Sequence, residues 1–199
     1  NHFYDISGKL ISTNNGLYFN LTKPSKNYDI FYTTDNTPPK FSKSHQYKGP
    51  IQIFESTIIN AITYNKNGTP LGYEFTETID LHKGVGQQIS LDKLPNAAYS
   101  GLGAKGLING ISGSDSRYGD KEWLGFWGDD VTITITLDSP VSLNSISTRF
   151  FEAQGQWIFA PKKVTIEIMD SSGTLVTVGE LKALLSHAAN DGLTIEKSI

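Results

Sequence analysis

The sequence predicts an all-β protein made of two domains in tandem, each read as a β-sandwich or barrel. Three observations carry this. β-Branched residues alternate with period two in several short runs, the pattern of a strand with one buried and one wet face. Clusters of Pro, Gly, Asn and Asp separate those runs, and these are the residues that build tight turns. Ser, Thr and Asn number 19, 18 and 13 among 199 residues, so polar positions are filled mainly by uncharged side chains suited to strand faces and turns.

Taken in order, strands are expected at 17–21, 28–33, 51–54, 57–64 and 73–79. The turns between them are Asp35-Asn36-Thr37-Pro38-Pro39, Lys48-Gly49-Pro50 and Asn65-Lys66-Asn67-Gly68. Near residue 80 the texture changes. Leu81-His82-Lys83-Gly84-Val85-Gly86 has no apolar period and reads as a linker, and all three Trp lie beyond it. The division is therefore 1–80, a linker at 81–87, and 88–199. In the second region, 131–137 puts four apolar residues on one face and three Thr on the other, and 164–168 alternates in the same way. Leu181, Leu184, Leu185 and Ala188 fall at helical spacing between Gly179 and Gly192, which suits a short helix, with a strand over 181–185 as the alternative.

Composition excludes several functions. With 17 basic and 20 acidic side chains, a net charge of −3 and no basic run, no nucleic-acid partner is expected, because phosphates demand clustered Lys and Arg. The 38% hydrophobic and 11% aromatic content excludes disorder. The absence of Cys removes disulfides, thiol catalysis and Cys-based metal sites. No apolar stretch approaches the roughly 18 residues of a spanning helix, so no membrane insertion is expected. The chain opens on Asn1-His2-Phe3-Tyr4 and is read as a fragment of a longer protein.

The chemistry-bearing residues narrow the choice further. Gly101-Leu102-Gly103-Ala104-Lys105-Gly106 matches the dinucleotide-binding spacing G-x-G-x-x-G. No strand precedes it, however, and Gly110 and Gly113 would break a helix after it, so it reads as a surface loop. His2, His45, His82 and His187 are scattered without metal-ligand spacing. Asp115, Asp120, Glu122, Asp129 and Asp130 share one short window. In a turn-rich loop they read first as solvated acids, then as oxygen ligands for Ca²⁺, and only last as a catalytic pair. The aromatic residues say more. Trp123-Leu124-Gly125-Phe126-Trp127-Gly128 and Gln154-Gly155-Gln156-Trp157 place every Trp in Gly-punctuated segments beside strands. A sugar offers C–H faces that stack on aromatic rings and hydroxyls that hydrogen-bond to polar neighbours. A sugar site therefore wants an exposed Trp flanked by such groups. Trp157 is the expected platform, Arg149, Glu152 and Gln154 the readers of hydroxyls, and Arg117 and Tyr118 the facing loop, with Trp127 alongside. Trp123 is expected in the core.

Two resemblances fit these residues. Tyr28-Asp29-Ile30-Phe31-Tyr32-Thr33-Thr34-Asp35, Pro38-Pro39, Tyr47-Lys48-Gly49-Pro50-Ile51 and Ser56-Thr57-Ile58-Ile59-Asn60-Ala61 resemble the fibronectin-III-like, chitobiase/β-hexosaminidase C-terminal domain. The likeness spans about residues 15–80, with Asn36 where that family usually has Gly. From about residue 87 onward, Gly106-Leu107-Ile108-Asn109-Gly110, the Trp123–Gly128 stretch, residues 131–137 and Gly155-Gln156-Trp157-Ile158-Phe159-Ala160-Pro161 resemble an F5/8 type C (discoidin, galactose-binding-like) domain. Bacterial family 20 β-N-acetylhexosaminidases carry the two in this order.

The resemblances imply two β-sandwiches, an Ig/fibronectin-III-like domain followed by a galactose-binding-like jelly roll, the latter binding terminal sugars through loops at one end. The second also implies a structural Ca²⁺ at the turn Leu107-Ile108-Asn109-Gly110, where Asn109 replaces the usual Asp, with Ser114 and Asp115 as further ligands. No cofactor is otherwise required. The family's closing "A-R-Y-V-R" strand has no counterpart before Ile199, so the jelly roll is expected to be truncated. The expected function is a non-catalytic, carbohydrate-binding accessory region of a secreted, periplasmic or cell-surface bacterial glycoside hydrolase. Its partners would be glycans ending in GlcNAc, GalNAc or galactose, and the parent enzyme's catalytic domain. The alternative is a purely structural spacer that braces that domain. Catalysis by this chain itself is disfavoured, since no nucleophile–base set is visible.

Overall fold

The computed structural model describes residues 4–13, 15–22, 25 and 27–182, and the backbone of 193–198. It is all-β. The first region contributes β1 (Ser7–Thr13), β2 (Gly16–Thr22), β3 (Asp29–Thr33), β4 (His45–Gln46), β5 (Ile51–Ile53), β6 (Thr57–Tyr64) and β7 (Pro70–Ile79). These form two antiparallel sheets, ordered β1-β2-β5 and β4-β3-β6-β7. Side chains two residues apart point the same way along a strand, and the core shows that spacing: Phe19 and Leu21, Ile51 and Ile53, Ile59 and Ala61, joined by Ile30 and Ile79. Tyr47 ties the sheets together. Its backbone N–H donates to Ile30 O at 2.8 Å, while its hydroxyl donates to Asn20 Oδ1 at 2.5 Å and accepts from Leu21 N at 3.1 Å. Asn36 takes a positive φ of 61° in its turn, which Asn tolerates better than most residues.

The second region contributes β8 (Gln88–Leu91), β9 (Ile133–Thr136), β10 (Ser147–Glu152), β11 (Lys163–Met169), β12 (Leu175–Lys182) and β13 (Leu193–Ser198). They pair antiparallel as β8-β9, β10-β13 and β11-β12. The strand expected over 131–137 contracts to β9, and the amides at both flanks turn to side chains while Thr132 O still accepts from Asp92 N at 3.1 Å. Thr132 N donates to Asp92 Oδ1 at 2.7 Å and Asp138 N to Gln87 Oε1 at 3.0 Å. Ile133 and Ile135 both remain well exposed, so the alternation marks a strand whose apolar face is only half covered. Leu181 belongs to β12, in place of the start of a helix. The remainder of that expectation, Leu184, Leu185 and Ala188, lies outside the described residues.

The stretch expected as a linker is folded against both regions. Val85 N donates to His82 O and Gln87 N to Gly84 O, at 3.0 and 3.2 Å. Asp80 N donates to Gly110 O at 2.8 Å, and Ile111 packs on the core of the first region. Gly110 has φ +78°, and a Cβ there would meet Asp80 O at 3.0 Å. Glycine at this position therefore answers both the backbone conformation and the close approach.

Candidate functional site

Three segments of the second region converge beside the end of β10, and an aromatic chain joins them. Tyr99 meets Tyr118 edge-on at 6.4 Å, Tyr118 meets Phe151 at 6.1 Å, and Phe151 meets Trp123 at 5.6 Å. The Arg149 guanidinium lies over the Trp123 ring, 5.4 Å from its centroid, a cation–π arrangement. Its Nη1 donates to Gly113 O at 3.0 Å, and its Nη2 forms an ion pair with Asp115. Trp123 Nε1 donates to Ser114 O at 3.0 Å. Half-buried and held on several sides, Trp123 is a structural post, but it stands at the edge of the fold and not in the buried core where it was expected.

The other two Trp face solvent. Trp127 is 84% exposed and Trp157 is 85% exposed. Trp157 ends the short 3-10 turn Gln154–Gln156 in the left-handed conformation, φ 61° and ψ 29°, with its N–H donating to Gln154 O. A bulky side chain is uncommon there and carries backbone strain. Gln154 is exposed beside it. Glu152 lies behind this turn instead of on its surface: it is 1% exposed, and its Oε1 accepts from Gln154 Nε2 at 2.6 Å. It thus aims Gln154. Arg149 likewise is engaged within the protein. Arg117 reaches solvent with a loose ion pair to Asp120 at 3.9 Å, and Tyr118 is partly exposed over the aromatic chain.

The residues expected to hold Ca²⁺ have protein partners in this arrangement. Asn109 Oδ1 accepts from Ile111 N at 2.8 Å, closing the turn at the junction. Asp115 pairs with Arg149, and Ser114 Oγ lies 3.3 Å from Ser116 Oγ. Among the described residues, no three His, Asp or Glu side chains form a metal-holding group.

The acidic window divides into two kinds of carboxylate. Asp115, Asp129 and Asp130 are exposed, but Glu122 is only 7% exposed and, contrary to expectation, is no solvated acid. Burial first, then a hydrogen bond and charge repulsion from Asp120, push its carboxyl up to about 7. Asp120 remains below the ordinary value. Its own burial opposes ionisation, but the Ser114 amide, Glu122, the Lys121 amide and Arg117 outweigh it. The G-x-G-x-x-G segment packs against the backbone on either side of Glu122. Leu102 N donates to Lys121 O at 2.7 Å, and a Cβ on Gly101 would collide with that same oxygen. The first glycine of the motif thus serves close backbone packing. The segment continues into the 3-10 turn Ala104–Ile108, with Gly106 and Ile108 buried, so it is not wholly a surface loop. The signal for Glu122 was present in sequence: it directly precedes the aromatic run beginning at Trp123.

A family model described as Fn3 associated matches residues 19–71. That stretch covers β3 to β6 and the core side chains that the fibronectin-III-like resemblance singled out. No curated protein matches the chain.

Proposed function

We propose that the chain is a non-catalytic carbohydrate-binding accessory region of a secreted bacterial glycoside hydrolase resembling the β-N-acetylhexosaminidases. In this reading the Fn3-associated region is a spacer, and the F5/8 type C-like region contacts terminal GlcNAc, GalNAc or galactose. The observation that carries it is the pair of Trp rings, each more than four-fifths exposed, on loops rooted in one aromatic cluster. Burying a Trp is strongly favourable, so two rings left in water, one of them in the same turn as exposed Gln154, suit a ligand that stacks and hydrogen-bonds. The strained backbone at Trp157 supports the same reading, because strain of this kind clusters where side chains must be presented. Glu152 and Arg149 would act from behind, holding Gln154 and the 113–115 loop. A weak sugar site tethered to a catalytic domain raises that domain's effective concentration at a glycan surface.

Calorimetric titration of the whole chain with GlcNAc, GalNAc and galactose tests this. Binding of at least one sugar is expected, weakened at least about tenfold by Trp157→Ala, the loss of roughly 1.4 kcal/mol of stacking. No binding of any of the three, or unchanged binding by Trp157→Ala, overturns the assignment. A purely bracing role is the second reading. It is favoured by the internal engagement of Arg149 and Glu152 and by the packing of Ile111 on the first region's core.

A further inference from the structure

We propose that the outer edge of β11 is a self-association site. It pairs antiparallel with β11 of a second copy of this chain, about a two-fold axis at Thr165.

The backbone supplies the first part. β11 and β12 form a two-stranded sheet, so β11 has one partnered edge and one outer edge. The hairpin's closing bond shows which residues face outward. Asp170 N donates to Thr174 O at 2.9 Å, so the backbone of Asp170 faces β12. Backbone groups alternate sides along a strand. Ile168, Ile166 and Val164 therefore turn toward β12, and Glu167, Thr165 and Lys163 turn away. The irregularity between Ile166 and Glu167 leaves this alternation intact, because the extra residue, Val178, lies on β12. Among the described residues, no backbone hydrogen bond from outside the hairpin reaches Lys163, Thr165 or Glu167. Such an edge is a template for a further strand.

The side chains select the occupant. Lys163, Thr165 and Glu167 are exposed, while Val164 and Ile166 are half-buried on the other face. Two identical edges can be brought together in several registers, and charge separates them. Centred on Lys163 or on Glu167, like charges stand directly opposite. Centred on Val164 or Ile166, neither charge meets its opposite. Centred on Thr165, the Lys163 of each copy stands opposite the other's Glu167, Thr165 opposite Thr165, and Val164 opposite Ile166. In this register the outward N–H and C=O groups of all three residues find partners. Opposite charges and aliphatic pairs set across two strands stabilise their pairing. The same patch serves on both copies, so the contact closes as a dimer.

The charges are available for this role. Lys163 Nζ lies 3.4 Å from Glu180, but Glu180 already holds Lys182 at 2.6 Å, and the Lys163 side chain is 56% exposed. Glu167 accepts from Thr177 Oγ1 through Oε1 alone, at 3.3 Å. The run around β9 has no such match. Paired with itself about Thr134, it would set Asp130 against Asp138 at both ends.

The experiment uses the full chain without sugar, so its outcome is independent of the carbohydrate reading. Sedimentation velocity over a range of concentrations up to about 1 mM should show a monomer–dimer equilibrium. Lys163→Glu and Glu167→Lys are each expected to weaken the dimer at least about tenfold, because each sets like charges across the axis twice. The chain carrying both changes has its charges exchanged but again opposite, and should dimerise within about threefold of wild type. In the unmutated chain, amide hydrogen exchange at Lys163, Thr165 and Glu167 should slow as concentration rises. The Val164 and Ile166 amides, already bonded within the hairpin, should not change. A wild-type chain that stays monomeric throughout, a dimer indifferent to both single charge reversals, or exchange at the three outward amides that does not depend on concentration overturns the proposal. The exchange measurement needs no variant, so a substitution that fails to fold does not spoil the test.

Discussion

Trp157 concentrates the case for a binding surface into one residue, because its backbone and its side chain make separable demands. The backbone sits at φ 61°, a region where Gly is at ease and a large L-residue is strained. The side chain is 85% exposed, so little packing is lost when it is removed. Trp157→Gly should therefore relieve strain while adding chain entropy to the unfolded state, two effects of about 1 kcal/mol each and opposite sign. The expected result is a thermal midpoint within about 4 °C of wild type, accompanied by loss of sugar binding. A marked destabilisation would instead mean that the ring packs on the protein, which removes it as a platform. Glu122 is the converse case, a side chain whose chemistry depends on what covers it. Its spacing from Asp120 is visible in the sequence. Its burial is not, since the segment packed against the backbone at residues 121–123, Gly101 and Leu102, arrives from well upstream.

At the level of strands, legibility tracked locality. The first region's strands announced themselves because each carries its own alternation and is bounded by its own turn residues: β6 fills 57–64 as expected, and 73–79 lies within β7. β1 escaped notice because Gly8 and Lys9 interrupt its pattern. β10 escaped because Phe150 and Phe151 are adjacent, with Phe151 buried and Phe150 half-buried. β9 is the instructive case. Its alternation is perfect, yet a strand's length is decided by its pairing partner, and Asp92 and Gln87 divert the flanking amides. Sheet-to-sheet bonds such as those of Tyr47 are long-range and equally hidden. Tyr47→Phe keeps the ring but leaves Asn20 Oδ1 and the Leu21 amide without their partner. A loss of about 1–3 kcal/mol is expected, read as a lower urea midpoint at unchanged slope. An unchanged midpoint would show that the hydroxyl contributes nothing to joining the two sheets.

Across the whole molecule, the decisive feature is that the first region's core is completed from the second. Ile111 packs on the cluster built by Phe19, Ile30, Ile59 and Ile79, and the Asp80–Gly110 hydrogen bond and the Asn109 turn hold it there. The first region cannot bury that apolar surface from residues 1–80 alone. Ile111→Ala should then cost about 1–3 kcal/mol, at the low end for aliphatic truncation because Ile111 is only partly buried. The location of the loss is the telling point. All three Trp lie at or beyond residue 123, so their fluorescence reports the second region, whereas Tyr18, Tyr32, Tyr47 and Tyr64 dominate the near-ultraviolet signal of the first. One cooperative unit predicts coincident thermal transitions by the two probes in the wild-type chain, both lowered by Ile111→Ala. It also predicts that residues 1–80 alone unfold at a lower temperature than they do in the whole chain. Independent regions predict separate transitions, with Ile111→Ala leaving the tyrosine-reported one in place. Coincidence would mean that the spacer and the proposed sugar-facing loops form one stiff body. A stiff body of this kind would hold the exposed Trp127 and Trp157 rings at fixed positions relative to the first region.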